Sequence, residues 1–209
     1  MSFYERHVLP RCIDFSLSRP PVMKARARVL RGLYGEVLEI GFGSGLNLPF
    51  YPAEVTRVFA IDPSDGARKL AESRLDSAAV QVEWSELDGQ ELALPTESID
   101  CALSTFTLCT IPDLPHALAE LRRVLKPRGV LHFLEHGRSP EGGVARWQDR
   151  LTPLQRRIAG GCHLNRPIAD QLRAAGFCID ALDNYHLPGP KPLTYLYEGR
   201  ARSCKEGPC

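Results

Sequence analysis

Glu36-Val37-Leu38-Glu39-Ile40-Gly41-Phe42-Gly43-Ser44-Gly45 is the stretch that decides the fold of this chain. An apolar run carrying Glu39 near its end gives way to glycines at alternating positions 41, 43 and 45. Such glycines let the backbone leave a strand end sharply and pass close to a ligand without Cβ collisions. About twenty residues further on, a second apolar run, 55–61, ends in Asp62. A carboxylate there suits a ribose diol, because it can accept a hydrogen bond from each hydroxyl. Dinucleotide sites read G-x-G-x-x-G, with the third glycine inside a helix that faces a pyrophosphate. Here the third glycine arrives one residue early and no Walker lysine follows, so a phosphate cradle is poorly supported. An ordinary glycine-rich strand-to-helix turn explains the loop alone, but not Asp62 in register with it.

The spacing fits a ligand with ribose and adenine but no phosphate, which points to S-adenosylmethionine. Composition sets no obstacle. The 209 residues suit one domain with a substantial core. A formal net charge of +1 gives little attraction for a polyanion, so no nucleic-acid partner is expected. No apolar run approaches bilayer length, and residues 1–7 lack the apolar core of a signal peptide. The seven cysteines are scattered, with no C-x-x-C pair and no His/Cys cluster at zinc spacing, so no metal site is expected. Cys101, Cys109 and Cys178 lie in apolar runs and read as small buried hydrophobes. Cys204 and Cys209 sit in a polar tail and read as exposed. The expected setting is cytoplasmic and reducing.

Along the chain, apolar strands alternate with helices. Residues 3–18 and 21–32 read as helices around Pro20-Pro21, with Pro10 bending the first. Strands are expected at 37–40, 55–61, 80–84, 99–106 and 130–134. Helices are expected at 65–75, behind an N-cap at Ser64, and at 114–125, stopped by Pro127 and Gly129. This alternation predicts βαβ units and a parallel sheet. After Gly137 the rhythm changes to a helix-rich insertion reaching about residue 160 and a helix at 168–175. Two final strands, near 178–185 and 193–197, flank Pro188-Gly189-Pro190; so short a link permits only an antiparallel pair.

The chain resembles the class I S-adenosylmethionine-dependent methyltransferases, the large group (methyltransferase type 11) that includes quinone-biosynthesis and phospholipid methyltransferases. The resemblance is carried by Glu39-Ile40-Gly41-Phe42-Gly43-Ser44-Gly45, Ala60-Ile61-Asp62-Pro63-Ser64, Ala93-Leu94-Pro95 ahead of Ser98-Ile99-Asp100, and Leu121-Arg122-Arg123-Val124-Leu125-Lys126-Pro127-Arg128-Gly129. Arg128 stands where the group usually has glycine. Three further segments look most like the thiol-methylating, methyltransferase-like proteins of animal membranes and their bacterial relatives: Gly45-Leu46-Asn47-Leu48-Pro49-Phe50-Tyr51-Pro52, Thr107-Leu108-Cys109-Thr110-Ile111, and Phe133-Leu134-Glu135-His136 with Gly161-Cys162-His163-Leu164. The resemblance implies an α/β, Rossmann-like fold with a mostly parallel seven-stranded sheet and an antiparallel last strand. The chain divides into an N-terminal helical part (1–34), a cofactor-binding domain (35–202) and a tail (203–209); Phe3, Tyr4, His7 and Arg11 among apolar positions fit a lid over a small acceptor, a plain packing helix or an amphipathic surface helix alike. The animal proteins' membrane anchor is not carried over.

The resemblance also implies roles. Gly41, Gly43 and Gly45 would pass under the methionine part of the cofactor, with Glu39 orienting the loop or facing the cofactor's ammonium through water. Asn47 would hold the methionine carboxylate or cap the next helix. Asp62 would take the ribose hydroxyls, and adenine would lie between Pro63 and the pair Asp88-Gly89. The backbone of Thr105 and Phe106 would border the sulfonium, their side chains serving there or in the core.

A methyl acceptor needs little more than alignment with the sulfonium. A small thiol, with a pKa of about 8.5, needs only modest help in losing its proton. His136, at the end of the fifth strand, is the candidate base, or else a histidine bonded to a loop carbonyl. His163 is a second candidate and, with Tyr4, a candidate substrate contact. Cys162 beside it reads as packing, since direct transfer needs no covalent intermediate. A nucleic-acid amino-methyltransferase would carry an Asn/Asp-Pro-Pro-aromatic box where this chain has Ser104-Thr105-Phe106-Thr107. A cofactor-binding protein without activity, and an N-, O- or C-methyltransferase of a phospholipid or quinone precursor, are the standing alternatives.

Overall fold

A computed structural model describes residues 3–85, 87–88 and 91–204, with backbone alone at Leu87–Asp88. A π-helical turn, Tyr4–Val8, leads into α1 (Leu9–Leu17) and α2 (Pro20–Val29). The turn answers Pro10, which has no N–H to give to a regular helix: the ladder widens just before it, with Leu9 N–H donating to the Tyr4 carbonyl.

The remaining elements follow in order: β1 (Gly35–Ile40), β2 (Val55–Ile61), α3 (Asp65–Leu75), β3 (Val82–Trp84), β4 (Leu87–Asp88), β5 (Glu91–Leu92), β6 (Ile99–Thr105), α4 (Leu114–Val124), β7 (Leu125–His136), α5 (Gly142–Ile158), α6 (Ile168–Ala174), β8 (Phe177–His186), α7 (Lys191–Thr194) and β9 (Tyr195–Ser203). Seven strands form one sheet in the order β3-β2-β1-β6-β7-β9-β8. The pairs β1–β2, β2–β3, β1–β6 and β6–β7 are parallel, whereas β9 runs antiparallel to both neighbours. This is the expected α/β architecture with an antiparallel last strand.

Alternate residues of the central strands serve two helical layers. Leu38, Ile40, Ala102, Leu131 and Phe133 pack with Leu118 and Leu121 of α4 and Leu172 of α6. Val37, Cys101, Leu103 and Leu134 pack with Ala25 and Val29 of α2, Leu30 just beyond it, and Ala71 of α3. The strands are therefore apolar throughout rather than alternating, as a sheet covered on both faces requires. Strand order reverses between β1 and β6, which opens the ligand crevice at their carboxyl ends.

Three expectations need correction. β7 is longer than 130–134 and begins at Leu125, directly after α4. Pro127 is tolerated because the β6–β7 register breaks there, Leu125 pairing with Ile99 and Val130 with Cys101. The last strand does not begin at Leu193, which lies in α7, but at Tyr195, and it runs to Ser203. Cys178 and Cys204 are neither a buried hydrophobe nor an exposed thiol: they form a disulfide between β8 and the end of β9. No helix among the described residues is long and apolar enough to cross a membrane.

Candidate functional site

At the end of β1 the glycine loop lies across β2: the N–H groups of Gly41 and Phe42 both donate to the Ile61 carbonyl, at 2.8 and 3.0 Å. Gly41 has φ of +72°, and a Cβ there would run into the Thr107 side chain. Gly43, at φ of +60°, differs: a Cβ would meet nothing nearer than the Gly41 carbonyl at 3.9 Å. The loop is closed below and open above. Asp62 ties it to β2, since its Oδ2 accepts from Gly43 N–H at 2.7 Å and its Oδ1 from Ser64 N–H at 2.8 Å. Burial raises the Asp62 carboxyl above the ordinary range, against those two bonds and the charge of Arg68. Pro63 beside it is exposed.

Behind the loop sits a buried polar network. Glu39 is fully buried and accepts from Asn47 Nδ2 at 2.6 Å and from the Tyr51 hydroxyl. Asn47 also donates to Thr105 Oγ1 at 3.0 Å and accepts from Arg26 Nη1 at 2.8 Å; the same nitrogen reaches Thr105 Oγ1 at 2.8 Å. Asn47 therefore does not cap a helix. The short turn it precedes, Leu48–Phe50, receives no side-chain hydrogen bond from it. Burial pushes the Glu39 carboxyl up to about 7, opposed by the Tyr51 and Asn47 bonds and by Arg26. It also brings Arg26 down to about 10, against the charges of Glu39 and Glu135. Arg26 Nε is buried with no hydrogen-bond partner among the described residues.

The acceptor end is built from β6, β7 and the turn after α5. Phe106 adopts φ of +57°, a strained conformation for an aromatic residue. Its ring stands edge-on to His136 at 5.1 Å and beside the Arg26 guanidinium at 5.4 Å. Glu135, fully buried, accepts from Ser104 Oγ, Thr107 N–H and Cys109 N–H, and so shapes the loop after β6. Cys162 Sγ lies 3.7 Å from Cys109 Sγ and 3.6 Å from His136 Nδ1. Those contacts, the Cys109 one first, bring the Cys162 thiol down to about 5 despite burial. Burial alone would lower the His136 imidazole, but Cys162 and the charge of Glu135 outweigh it, and the net shift is upward. His163 holds the Cys109 carbonyl with its backbone N–H at 2.8 Å and its Nδ1 at 3.2 Å.

The N-terminal helices lean over the loop. Asp14 of α1 accepts from Ser44 Oγ at 2.5 Å and from Arg74 Nη1 of α3 at 2.8 Å. Burial pushes the Asp14 carboxyl up, but the Arg74 and Ser44 bonds prevail and it sits below the ordinary range. The Tyr4 hydroxyl donates to the Ile158 carbonyl at 2.7 Å, tying the first turn to the end of α5. The structure thus joins Glu39, Asn47 and Thr105 in one hydrogen-bonded network, ties Gly43 to Asp62, packs Gly41 against Thr107, and sets His136 at the end of β7. Tyr4 and His163 are engaged with the Ile158 and Cys109 carbonyls. Gly89 and the Asp88 side chain lie outside the described residues.

Sequence reading missed Arg26, Tyr51 and the Cys109–His136–Cys162 cluster. The cluster spans 53 and 26 residues, and no local spacing announces it. Chemically, Asp62 presents a carboxylate at the end of β2 whose two oxygens each hold one backbone N–H, and a Cβ at Gly43 would meet no atom nearer than 3.9 Å.

A methyltransferase domain model matches residues 38–133. The chain is 35% identical over 176 residues to human thiol S-methyltransferase TMT1B, covering 81% of this chain and 70% of that protein. The rat protein of that name is 36% identical over 154 residues, and there the chain spans 63% of the relative's length. Among solved structures, a SAM-dependent methyltransferase of Thermotoga maritima matches with a TM-score of 0.67 and 22% identity, over 97% of this chain and 98% of that one. The last likeness speaks for the fold, and the human relative, at 35% identity over 70% of its own length, for descent. The chain belongs to the S-adenosylmethionine-dependent methyltransferases.

Proposed function

We propose that this protein transfers a methyl group from S-adenosylmethionine to a small-molecule thiol. The observation that carries the reading is Asp62, whose two oxygens bridge Gly43 and Ser64 at the mouth of the crevice and keep lone pairs for a ribose. The thiol half rests on the relatives named thiol S-methyltransferases and on a cysteine–histidine cluster at the acceptor side.

When bound, S-adenosylmethionine supplies a strongly electrophilic methyl group on a sulfonium sulfur. Asp62 takes the ribose hydroxyls, Pro63 borders adenine, and Gly41, Gly43 and Gly45 underlie the methionine part. Arg26, held by Asn47 and Thr105, places a buried positive charge on the side where the methionine carboxylate would lie. The backbone at Thr105 and Phe106 borders the reacting sulfur. Alignment alone can supply a large share of the acceleration. In the metal-free chain the thiol's proton would go to His136, whose Nδ1 is in contact with Cys162 Sγ. Residues 4–17, pinned by Asp14 and Tyr4, exclude water from above. Four free cysteines among the described residues favour a reducing, cytoplasmic setting; the Cys178–Cys204 bridge is the contrary sign.

The test is S-adenosylhomocysteine formation with a panel of small thiols, amines and phenols. Turnover of mercaptoethanol and related thiols is expected. Turnover of an amine or a quinol precursor, with no thiol accepted, would overturn the thiol assignment and favour the phospholipid or quinone alternative.

A further inference from the structure

Three side chains with metal-binding atoms meet at the carboxyl end of the sheet: Cys109 from the loop after β6, His136 from the end of β7, and Cys162 from the turn after α5. Their donor atoms all lie within 4.8 Å of one another. The Cys109–Cys162 sulfur separation is 3.7 Å, and Cys162 Sγ to His136 Nδ1 is 3.6 Å. A tetrahedral zinc ion, with metal–sulfur bonds of about 2.3 Å and metal–nitrogen bonds of about 2.0–2.1 Å, sets its ligands about 3.8 Å (S to S) and about 3.5 Å (S to N) apart. Both measured edges match. In the metal-free chain the same separations are those of thiol hydrogen bonds, so it is the meeting of three ligand atoms within 4.8 Å that points to a metal.

The supporting shell is also in place. The His136 ring is packed edge-on against Phe106 at 5.1 Å, which fixes the plane of the imidazole. Cys109 is held at its N–H by Glu135 and at its carbonyl by His163. Leu164, Leu151 and Ala159 line the cluster, and the buried Arg166 guanidinium binds the Leu108 carbonyl beside it. With two thiolates, a neutral imidazole and a divalent ion, the centre is electrically neutral; Arg166 offsets Glu135. Only three protein ligands gather here among the described residues. A zinc site with three protein ligands keeps an exchangeable fourth position, unlike a closed structural site.

We propose that Cys109, His136 and Cys162 bind a zinc-class divalent cation whose fourth position takes the sulfur of the methyl acceptor. For that fourth ligand the proposal rests on the thiol reading above. On coordination the acceptor's S–H bond breaks, its proton passes to solvent, and the sulfur's electron pair binds the metal. The acceptor then arrives already deprotonated, as thiols bound to zinc are. In this form of the site His136 works as a ligand, and no free base is needed.

The test uses the full chain, reduced with a phosphine, freed of metal by a chelator and titrated with Co²⁺ in the absence of cofactor. One equivalent should bind, with sulfur-to-metal charge transfer in the near ultraviolet and the intense visible bands of tetrahedral cobalt. Mercaptoethanol should then shift the visible bands. Cys162→Ser and His136→Ala should each weaken cobalt binding at least about tenfold, while binding of S-adenosylhomocysteine shows that they are folded. Cys12→Ser, at an exposed cysteine, should keep the full spectrum. A reduced wild-type protein that binds S-adenosylhomocysteine but gives no charge-transfer band would overturn the site. A Cys109–Cys162 disulfide found by thiol counting in place of metal would do the same. Thiol turnover by a protein that binds no cobalt would leave the thiol reading standing and remove the metal. Cobalt binding with neither thiol turnover nor a response to mercaptoethanol would overturn the fourth-ligand assignment together with the thiol reading.

Discussion

Asp62 takes the Gly43 N–H at 2.7 Å across 19 residues of sequence, which makes the acid and the glycine loop one unit. Removing the carboxylate should therefore disturb the loop as well as the ribose contact. Asp62→Ala is expected to lower affinity for S-adenosylhomocysteine ten- to a hundredfold, about 1–3 kcal/mol. Titration calorimetry checks this; unchanged affinity in the folded variant would remove Asp62 from the site.

Gly41 and Gly43 share a left-handed backbone but not a surrounding. Gly41→Ala should abolish folding or lower the thermal midpoint sharply, because its Cβ meets Thr107. Gly43→Ala should fold with a loss of about 1–2 kcal/mol for the strained φ and then fail to bind cofactor, its methyl standing in the open space above the loop. Calorimetry of unfolding and of ligand binding separates the two. Equal behaviour would mean that Gly43 is not where the ligand passes.

Glu39 gives a pH signature. Its carboxyl ordinarily titrates near 4.5 and is held at about 7 in the folded chain. Between those values the folded protein keeps a proton that the unfolded chain has released, so stability falls as pH rises through the window. The loss is on the order of 3 kcal/mol. Glu39→Gln keeps the partners and removes the titration, so its urea midpoint should stay flat where the wild-type value declines. Parallel profiles would show that Glu39 is ionised throughout.

Deleting residues 1–18 should abolish turnover and leave a folded core that binds S-adenosylhomocysteine, because α2, not α1, supplies the core contacts. Asp14→Ala should give a milder form of this, with faster hydrogen exchange across residues 4–17. Adding S-adenosylhomocysteine to the wild-type protein should slow that exchange. Full activity in the truncated chain would mean that these residues are peripheral.

The parallel half of the fold is legible because its strands are short apolar runs, two of which, β1 and β2, end at a glycine and an acid. Residues 55–61 were bounded to the residue for that reason. The carboxyl-terminal half was harder. Pro127 looks like a stop, but it occupies a register break inside β7, a property of strand pairing rather than of local sequence. β9 was misplaced because Leu193 continues the apolar pattern while Pro190 and Pro192 favour a helical first turn. In the site, Asp62 and the loop glycines have a spacing, whereas Arg26 and the cysteine–histidine cluster have none. A buried cation is recognisable only once its partners, here Asn47 and Thr105, have been brought to it.

β9 is the last strand among the described residues, yet it lies inside the sheet, between β7 and β8. During synthesis β7 would leave the ribosome long before its partner and wait with a bare hydrogen-bonding edge carrying Leu131, Phe133 and Leu134. Such an edge invites pairing with other chains. The protein should thus depend on a holding chaperone, or on α2 and α4 covering the strand's faces, until Tyr195–Ser203 emerges. A premature stop near residue 190 would yield aggregates rather than a smaller enzyme.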